Sequence, residues 1–159
     1  MNEVDYIASL VERSRKAQKI AEGFSQRKVD ELAAAIIYTF SREPLARELA
    51  ELTVNETKMG RVDSKMGKMM NKMPAVLYEI LDVKTVGIIE RIPETGITKI
   101  AKPLGVIAAL IPSTNPEATP LFKGVLGLRA RNSLIFAPHP KSKKTTGKVV
   151  DIMRELLEK

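Results

Sequence analysis

Two short stretches of this sequence carry residue types whose spacing could do chemistry. The first is Ile111-Pro112-Ser113-Thr114-Asn115-Pro116-Glu117-Ala118-Thr119-Pro120, with three prolines in ten positions and a single carboxamide, Asn115. Each proline fixes its own φ and restricts the residue before it. Such stiffness directly after the apolar run Val106–Ile111 suits a turn that aims one carboxamide, or one stretch of backbone, at a partner. The plainer reading makes Asn115 the cap of a helix opening at Pro116-Glu117, or makes Thr119 the cap with Pro120 in the first turn. The second stretch is Ala137-Pro138-His139-Pro140-Lys141-Ser142-Lys143-Lys144, which holds the chain's one histidine. Lysines beside a helix N-terminus favour an anion there, and a solvated basic helix start is the plainer alternative.

Both stretches stand where strands should end. Val106–Ile111 reads as a buried strand and 116–131 as a helix with Leu121, Val125 and Leu128 inward. Ser133–Ala137 reads as a second strand, and Thr145–Leu157 as a helix with Val149, Ile152, Met153 and Leu156 inward. Alternating strand and helix predicts a doubly wound α/β unit, whose ligands bind beyond the carboxyl ends of the strands. The two bends are therefore expected to form two rims of one pocket. A sheet of two parallel strands leaves apolar edges uncovered. The chain stops at Lys159, directly after the second helix, so a portion of a larger fold is expected.

Upstream, Thr85–Arg91 and Ile97–Ala101 are β-branched runs separated by Pro93-Glu94-Thr95-Gly96, the pattern of a hairpin. Residues 4–81 read as helix. Ile7, Leu10, Val11, Ala17, Ile20, Ala21 and Phe24 describe an ordinary core-facing first helix, and Val29, Leu32, Ala33, Ile36, Ile37 and Phe40 a second with clean periodicity. Pro44 suits the first turn of a third helix, and Gly60 its stop. In a fourth, methionines 66, 69, 70 and 73 read as core filler, and Pro74 predicts a kink near Met70.

The chain has 159 residues, 44% of them hydrophobic and 28% charged, which suffices for a core and a polar surface. The net charge of +7 raises nucleic acid as a partner, but aromatics are only 4%, too few for stacking platforms, so nucleic acid is not expected. No run approaches the ~20 apolar residues of a membrane span, and the acidic N-terminus is unlike a secretory signal, so a cytoplasmic protein is expected. The absence of cysteine excludes disulfides, thiolate metal sites and thiol nucleophiles within this chain, and no metal site is expected.

Lys102-Pro103-Leu104-Gly105-Val106-Ile107, Pro112-Ser113-Thr114-Asn115-Pro116, and Arg131-Asn132-Ser133 through Ala137-Pro138-His139-Pro140-Lys141 resemble the CoA-acylating branch of the aldehyde dehydrogenase superfamily. Glu56-Thr57-Lys58-Met59-Gly60 and Lys84-Thr85-Val86-Gly87-Ile88-Ile89 do so too, so the resemblance covers essentially the whole chain. It implies an α/β fold made of an N-terminal helical layer over 1–82, a hairpin arm for homo-oligomerisation over 83–101, and the first βαβα unit of a Rossmann-like nucleotide-binding domain over 102–159. The thiol-bearing domain would lie outside this chain.

The implied activity is oxidation of a short aldehyde with NAD or NADP and CoA to acyl-CoA, through a cysteine thioester that these residues alone cannot form. In the family the first bend delivers an amide to the aldehyde carbonyl, which nominates Asn115. The wider superfamily reads Pro-Trp-Asn-x-Pro, and ungapped matching puts Thr114 on that asparagine column. By the same resemblance Ile111, Pro112, Ser113, Ala137, Pro138, His139, Pro140 and Lys141 would line the cofactor. Broader members carry Lys-Pro-x-Glu at the second bend, where this chain has Ala137 and Pro140, so its ribose clamp must differ. The alternative is a non-catalytic basic module that binds a nucleotide, RNA or an acidic partner.

Overall fold

The computed structural model describes Asn2–Glu158. Met1 and Lys159 lie outside the described residues, and with them the reading of Lys159 as an interruption. Three helices open the chain: α1 (Glu3–Ala21), α2 (Gln26–Phe40) and α3 (Glu43–Thr57). Asn2 caps α1 by accepting from the Asp5 N–H at 2.8 Å, and Ser25 caps α2 by accepting from Lys28 at 3.2 Å. Pro44 stands in the first turn of α3. This helix stops earlier than Gly60, because Lys58 takes the left-handed conformation (φ 58°) and its N–H returns to the Val54 carbonyl.

The fourth helical segment is interrupted where a kink is expected. It runs as α4 (Val62–Gly67), a π-helical turn over Lys68–Lys72, and α5 (Met73–Leu81). Pro74 has no N–H to continue an α-ladder, and the Met73 N–H reaches the Lys68 carbonyl instead.

The second half holds two small sheets. β1 (Gly87–Ile92) and β2 (Ile97–Ala101) form an antiparallel hairpin with an irregularity between Ile88 and Glu90. Its base is tied to α2 by the Gln26 side-chain oxygen, which accepts from the Thr85 and Val86 N–H groups at 2.8 and 3.0 Å. β3 (Val106–Ile111) and β4 (Ser133–Pro138) pair in parallel, in register from Val106↔Ser133 to Ile111↔Pro138. The crossover helix between them is α6 (Thr119–Arg129), and α7 (Lys143–Leu157) follows β4. α6 begins at Thr119 rather than at Pro116. Asn115 contributes its carbonyl to the Thr119 N–H at 2.9 Å, and Pro120 occupies the first turn. Gly127 lets α6 lie tightly on the sheet: a Cβ there would stand 2.5 Å from Leu134 Cδ1.

The core joins both halves. Ile36, Ile37 and Phe40 of α2 and Leu49 of α3 pack with Met69 and Met73, and with Leu121, Val125, Val149 and Met153 of α6 and α7. Arg129, 2% exposed, closes this assembly by donating to Asp30 at 2.8 Å and to the carbonyls of Ile80, Leu81 and Val83 at the end of α5. A cation at a helix C-terminus meets the unpaired carbonyls there.

α1 departs from the expected core-facing helix: Ile7 and Ile20 are 54% and 68% exposed. It is attached by polar bonds instead. Gln18 donates to the Arg131 carbonyl and accepts from the Ser133 N–H, both at 2.7 Å, and the Ser133 hydroxyl donates to the Ser14 carbonyl at 2.9 Å. A cleft of about 710 Å³ lies between α1 and the layer of α2, α6 and α7. One face of the parallel sheet is covered, with Ala109 and Ile111 buried, while Leu110 on the other face is 74% exposed. Among the described residues each strand keeps one unpaired edge. No described helix is long and apolar enough to cross a membrane.

Candidate functional site

The parallel register brings the two bends together. Ile111 stands opposite Pro138 at the carboxyl ends of β3 and β4, and the His139 N–H continues the ladder to the Ile111 carbonyl at 3.0 Å. The bend that follows Ile111 and the bend that follows Pro138 therefore leave the sheet from adjacent strand ends, at the end of the sheet where α/β folds bind ligands. Pro112, Thr114, Ala137, His139, Pro140 and Lys141 are exposed, and Asn115 and Ser113 half-buried. The open surface over these bends is separate from a second cleft, of about 530 Å³, lined by Leu104, Val106 and Ala108 at the other end of the sheet.

A buried ion pair underlies the first bend. The Lys65 ammonium lies 3.3 Å from both Glu117 carboxylate oxygens and donates to the Thr114 carbonyl at 2.9 Å. An ammonium has three protons, and here three acceptors surround it. The two side chains are 2% and 0% exposed. Gly60 (φ 76°) leaves room for the lysine stem, since a Cβ there would approach Lys65 Cε to 3.1 Å. Lys68, one helical turn on from Lys65, stands 3.9 Å from Glu117 and donates to the Asn115 side-chain oxygen. The Asn115 amide nitrogen donates to the Thr114 hydroxyl at 3.3 Å. Asn115 thus caps no helix with its side chain: Ala118 holds the cap position of α6, without a side-chain bond.

The second bend has its own anchor. Glu56, from the last turn of α3, accepts the Lys144 and Thr145 N–H groups at 2.8 Å each, and the Thr145 hydroxyl at 2.7 Å. Burial pushes its pKa up, but the bonds from Thr145 and Lys144 and the charge of Lys144 outweigh that and hold it below the ordinary value. The first N–H groups of α7 therefore hold a carboxylate of the protein. An anionic ligand at this bend is left with the exposed lysine side chains and His139, not with the α7 N-terminus. His139 turns its Nδ1 inward to accept the Lys141 N–H at 3.1 Å, which caps the short turn Pro140–Ser142.

Four residues of this arrangement, Glu56, Lys65, Lys68 and Glu117, escape sequence reasoning about the bends. The segment Glu56-Thr57-Lys58-Met59-Gly60 held part of the signal: Glu56 anchors the second bend, Met59 meets the Ser113 hydroxyl at 3.9 Å, and Gly60 accommodates Lys65. Lys65 and Glu117 are far apart in sequence, and each reads as an exposed charge on its own helix or loop.

No family model matches the chain. It is 39% identical over 153 residues to a sulfoacetaldehyde dehydrogenase of an Acholeplasma species, covering 96% of this chain and 32% of that protein. It is 41% identical over 161 residues to a succinate-semialdehyde dehydrogenase (acetylating) of Clostridium kluyveri, covering 99% of this chain and 34% of that protein. The crystal structure of an acetylating aldehyde dehydrogenase from Geobacillus thermoglucosidasius superposes with a TM-score of 0.91 at 37% identity, over 98% of this chain and 34% of that one. The chain thus spans about one third of the length of the curated relatives it matches. The fold alone is shared with two more distant structures, an engineered glycolyl-CoA reductase with bound NADP+ and a Rhodopseudomonas palustris propionaldehyde dehydrogenase with bound propionyl-CoA, at 23% and 24% identity and a TM-score of 0.76 each.

Proposed function

We propose, since this chain belongs to the acylating aldehyde dehydrogenase family, that it supplies the opening part of the nucleotide-binding domain of an enzyme converting a short aldehyde, NAD(P)+ and CoA to acyl-CoA and NAD(P)H. Residues 1–82 form its helical layer, 83–101 an oligomerisation arm, and 102–159 the first part of the Rossmann-like unit. The exposed isoleucines 88, 89, 97 and 100 on the hairpin suit an arm that is covered in a homo-oligomer.

The reaction needs a thiolate that adds to the aldehyde carbon, and a chain without cysteine leaves that group to another part of the enzyme. Held by Ile111–Ser113 and Ala137–Lys141, NAD(P)+ would supply the two-electron acceptor, and CoA would be the acyl acceptor. This chain's own residues bind and orient. The Asn115 amide N–H is a preorganised donor to the aldehyde oxygen as negative charge develops on it. Thr114 shapes the same bend through its hydroxyl, which accepts from Asn115. Backbone and side chains at Ile111–Ser113 and Ala137–Lys141 line the nucleotide. The residues present fit such a group: two exposed bends at the carboxyl ends of parallel strands, with lysines on one of them.

One observation carries this reading: the carboxamide bend and the basic bend lie side by side, Ile111 opposite Pro138, each held from beneath by a charged anchor. The test combines the chain with a polypeptide holding the remaining two thirds of the Clostridium kluyveri relative. Acyl-CoA formation and nicotinamide reduction are followed with acetaldehyde, succinate semialdehyde and sulfoacetaldehyde. Turnover that is lost in Asn115→Ala supports the enzyme. Absence of turnover, together with salt-sensitive RNA binding and no uptake of NAD(P)H or CoA by the chain, sinks it in favour of a basic binding module.

A further inference from the structure

The Asn115 carboxamide has two ends, and only one of them can serve a developing oxyanion. A carbonyl oxygen facing the substrate would repel the negative charge, while the NH2 would stabilise it. An unrestrained asparagine rotates freely about its terminal torsion, which is broad and roughly two-fold. Something must therefore choose the end. One contact does so here. The Lys68 ammonium donates to the Asn115 side-chain oxygen, and an ammonium can only donate, so it selects the oxygen end. On the other side the NH2 lies 3.3 Å from the hydroxyl of the exposed Thr114.

We propose that Lys68 is a positioning residue that holds the Asn115 oxygen toward the π turn and so presents the amide N–H groups outward at the end of the sheet. The inference rests on the reading of Asn115 as the carbonyl donor. Lys68 has the attributes for this task. It is 33% exposed, so its ammonium reaches the bend without full desolvation, and Glu117 at 3.9 Å counters its charge. Lys65 does different work: its protons go to the Thr114 carbonyl and Glu117, which fixes the backbone of the bend and not the amide. The π-helical turn that begins at Lys68 belongs to the same arrangement, because π turns re-aim side chains within an otherwise regular helix. Lysine in place of arginine is consistent with a point contact to one oxygen, where a planar fork would demand two acceptors.

The test is spectroscopic and uses the full chain. The sequence has five asparagines and two glutamines, so side-chain NH2 signals are few, and the Asn115 pair is identified by its loss in Asn115→Asp. In the wild type the Asn115 pair should be well shifted from that of a free asparagine. A through-hydrogen-bond coupling should connect Lys68 Nζ to the Asn115 side-chain carbonyl carbon in a ¹⁵N,¹³C-labelled sample. Lys68→Met should return the pair to free-asparagine positions and leave the backbone signals of the sheet in place, and Lys68→Arg should retain part of the shift. An Asn115 pair that already sits at free-asparagine positions in the wild type, or that ignores Lys68→Met, overturns the proposal. Should Lys68→Met not fold, the wild-type coupling alone decides, since its absence is equally fatal. A chain that passes these tests while the complementation assay gives no turnover keeps the Lys68 contact and loses the enzyme reading, so the two failures are distinguishable.

Discussion

Removing the Lys65 ammonium should be the most damaging single change beneath the bends. In Lys65→Met the side chain keeps most of its length and gains apolar character, so little packing is lost. What remains is a Glu117 carboxylate that is 0% exposed, with Lys68 at 3.9 Å as its nearest cation. Breaking one side of a buried pair costs about 3–5 kcal/mol, and the Thr114 carbonyl losing its donor contributes to that figure. Lys68 compensates only in part, because it is partly solvated and engaged with Asn115. A loss of about 4 kcal/mol is a large share of the ~5–15 kcal/mol that holds a domain together. At about 2–4 °C per kcal/mol for a chain of this size, the melting temperature should fall by roughly 10 °C. The assay is urea unfolding followed by circular dichroism, run also on Glu117→Leu and on the double variant Lys65→Met/Glu117→Leu. The double variant should recover most of the loss, since a buried pair replaced by apolar residues of similar volume is often neutral. The reasoning fails if Lys65→Met costs less than about 1 kcal/mol, or if the two single losses simply add, because residues in direct contact should not be additive.

Two further outcomes follow from the anchors and the helix–sheet contact. Glu56 has a pKa below its ordinary 4.5 in the folded chain, so its contribution is present above that value and is lost as pH falls through the lowered one. Urea midpoints measured from about pH 7 to pH 3 should therefore drop more steeply for the wild type than for Glu56→Gln at the acid end, and superimposable curves would refute the role of the carboxylate. In Gly127→Ala the new Cβ would lie 2.5 Å from Leu134 Cδ1. That overpacking, about 1–3 kcal/mol, exceeds the helix-propensity gain of at most ~1 kcal/mol, so the variant should be less stable, and Leu134→Val in the same background should restore part of the loss.

The strands, the hairpin and the second helix were legible because each is set by local pattern. β-branched runs broken by Pro93–Gly96 leave little choice but a hairpin, and the period of Val29 through Phe40 leaves little but an amphipathic helix. Three features were not legible, each for a physical reason. The start of α6 depends on which proline takes the first turn, and Pro116 and Pro120 are equally qualified by residue type. The apolar stripe of α1 reads as core-facing, yet what holds the helix is the Gln18 carboxamide and the Ser14 carbonyl meeting the start of β4. No periodicity reports a bond between a helix and residues more than a hundred positions away. Lys65 and Glu117 were invisible for the same reason, since charged residues are almost never fully buried unless paired, and the pairing is tertiary.

The distribution of these anchors argues that the helical half is part of the site and not merely a cover for it. β3, α6, β4 and α7 set Ile111 opposite Pro138 through the parallel register. They do not fix where the bends point. The backbone of the first bend is fixed by Lys65, its amide is contacted by Lys68, and the second bend is tied to α3 through Glu56. All three side chains come from residues 56–68, the passage from α3 through α4 into the π turn. That passage in turn is pinned by Met69 and Met73 in the shared core, and by Arg129 on the carbonyls that end α5. A displacement of the 56–68 passage would therefore move both bends at once, whereas a change on the exposed face of the sheet, at Leu110 for example, touches neither anchor. Preorganised donors lose their advantage when they shift by a fraction of a hydrogen-bond length. The side chains that hold the Asn115 bend thus lie some fifty positions upstream of it, on the passage from α4 into the π turn.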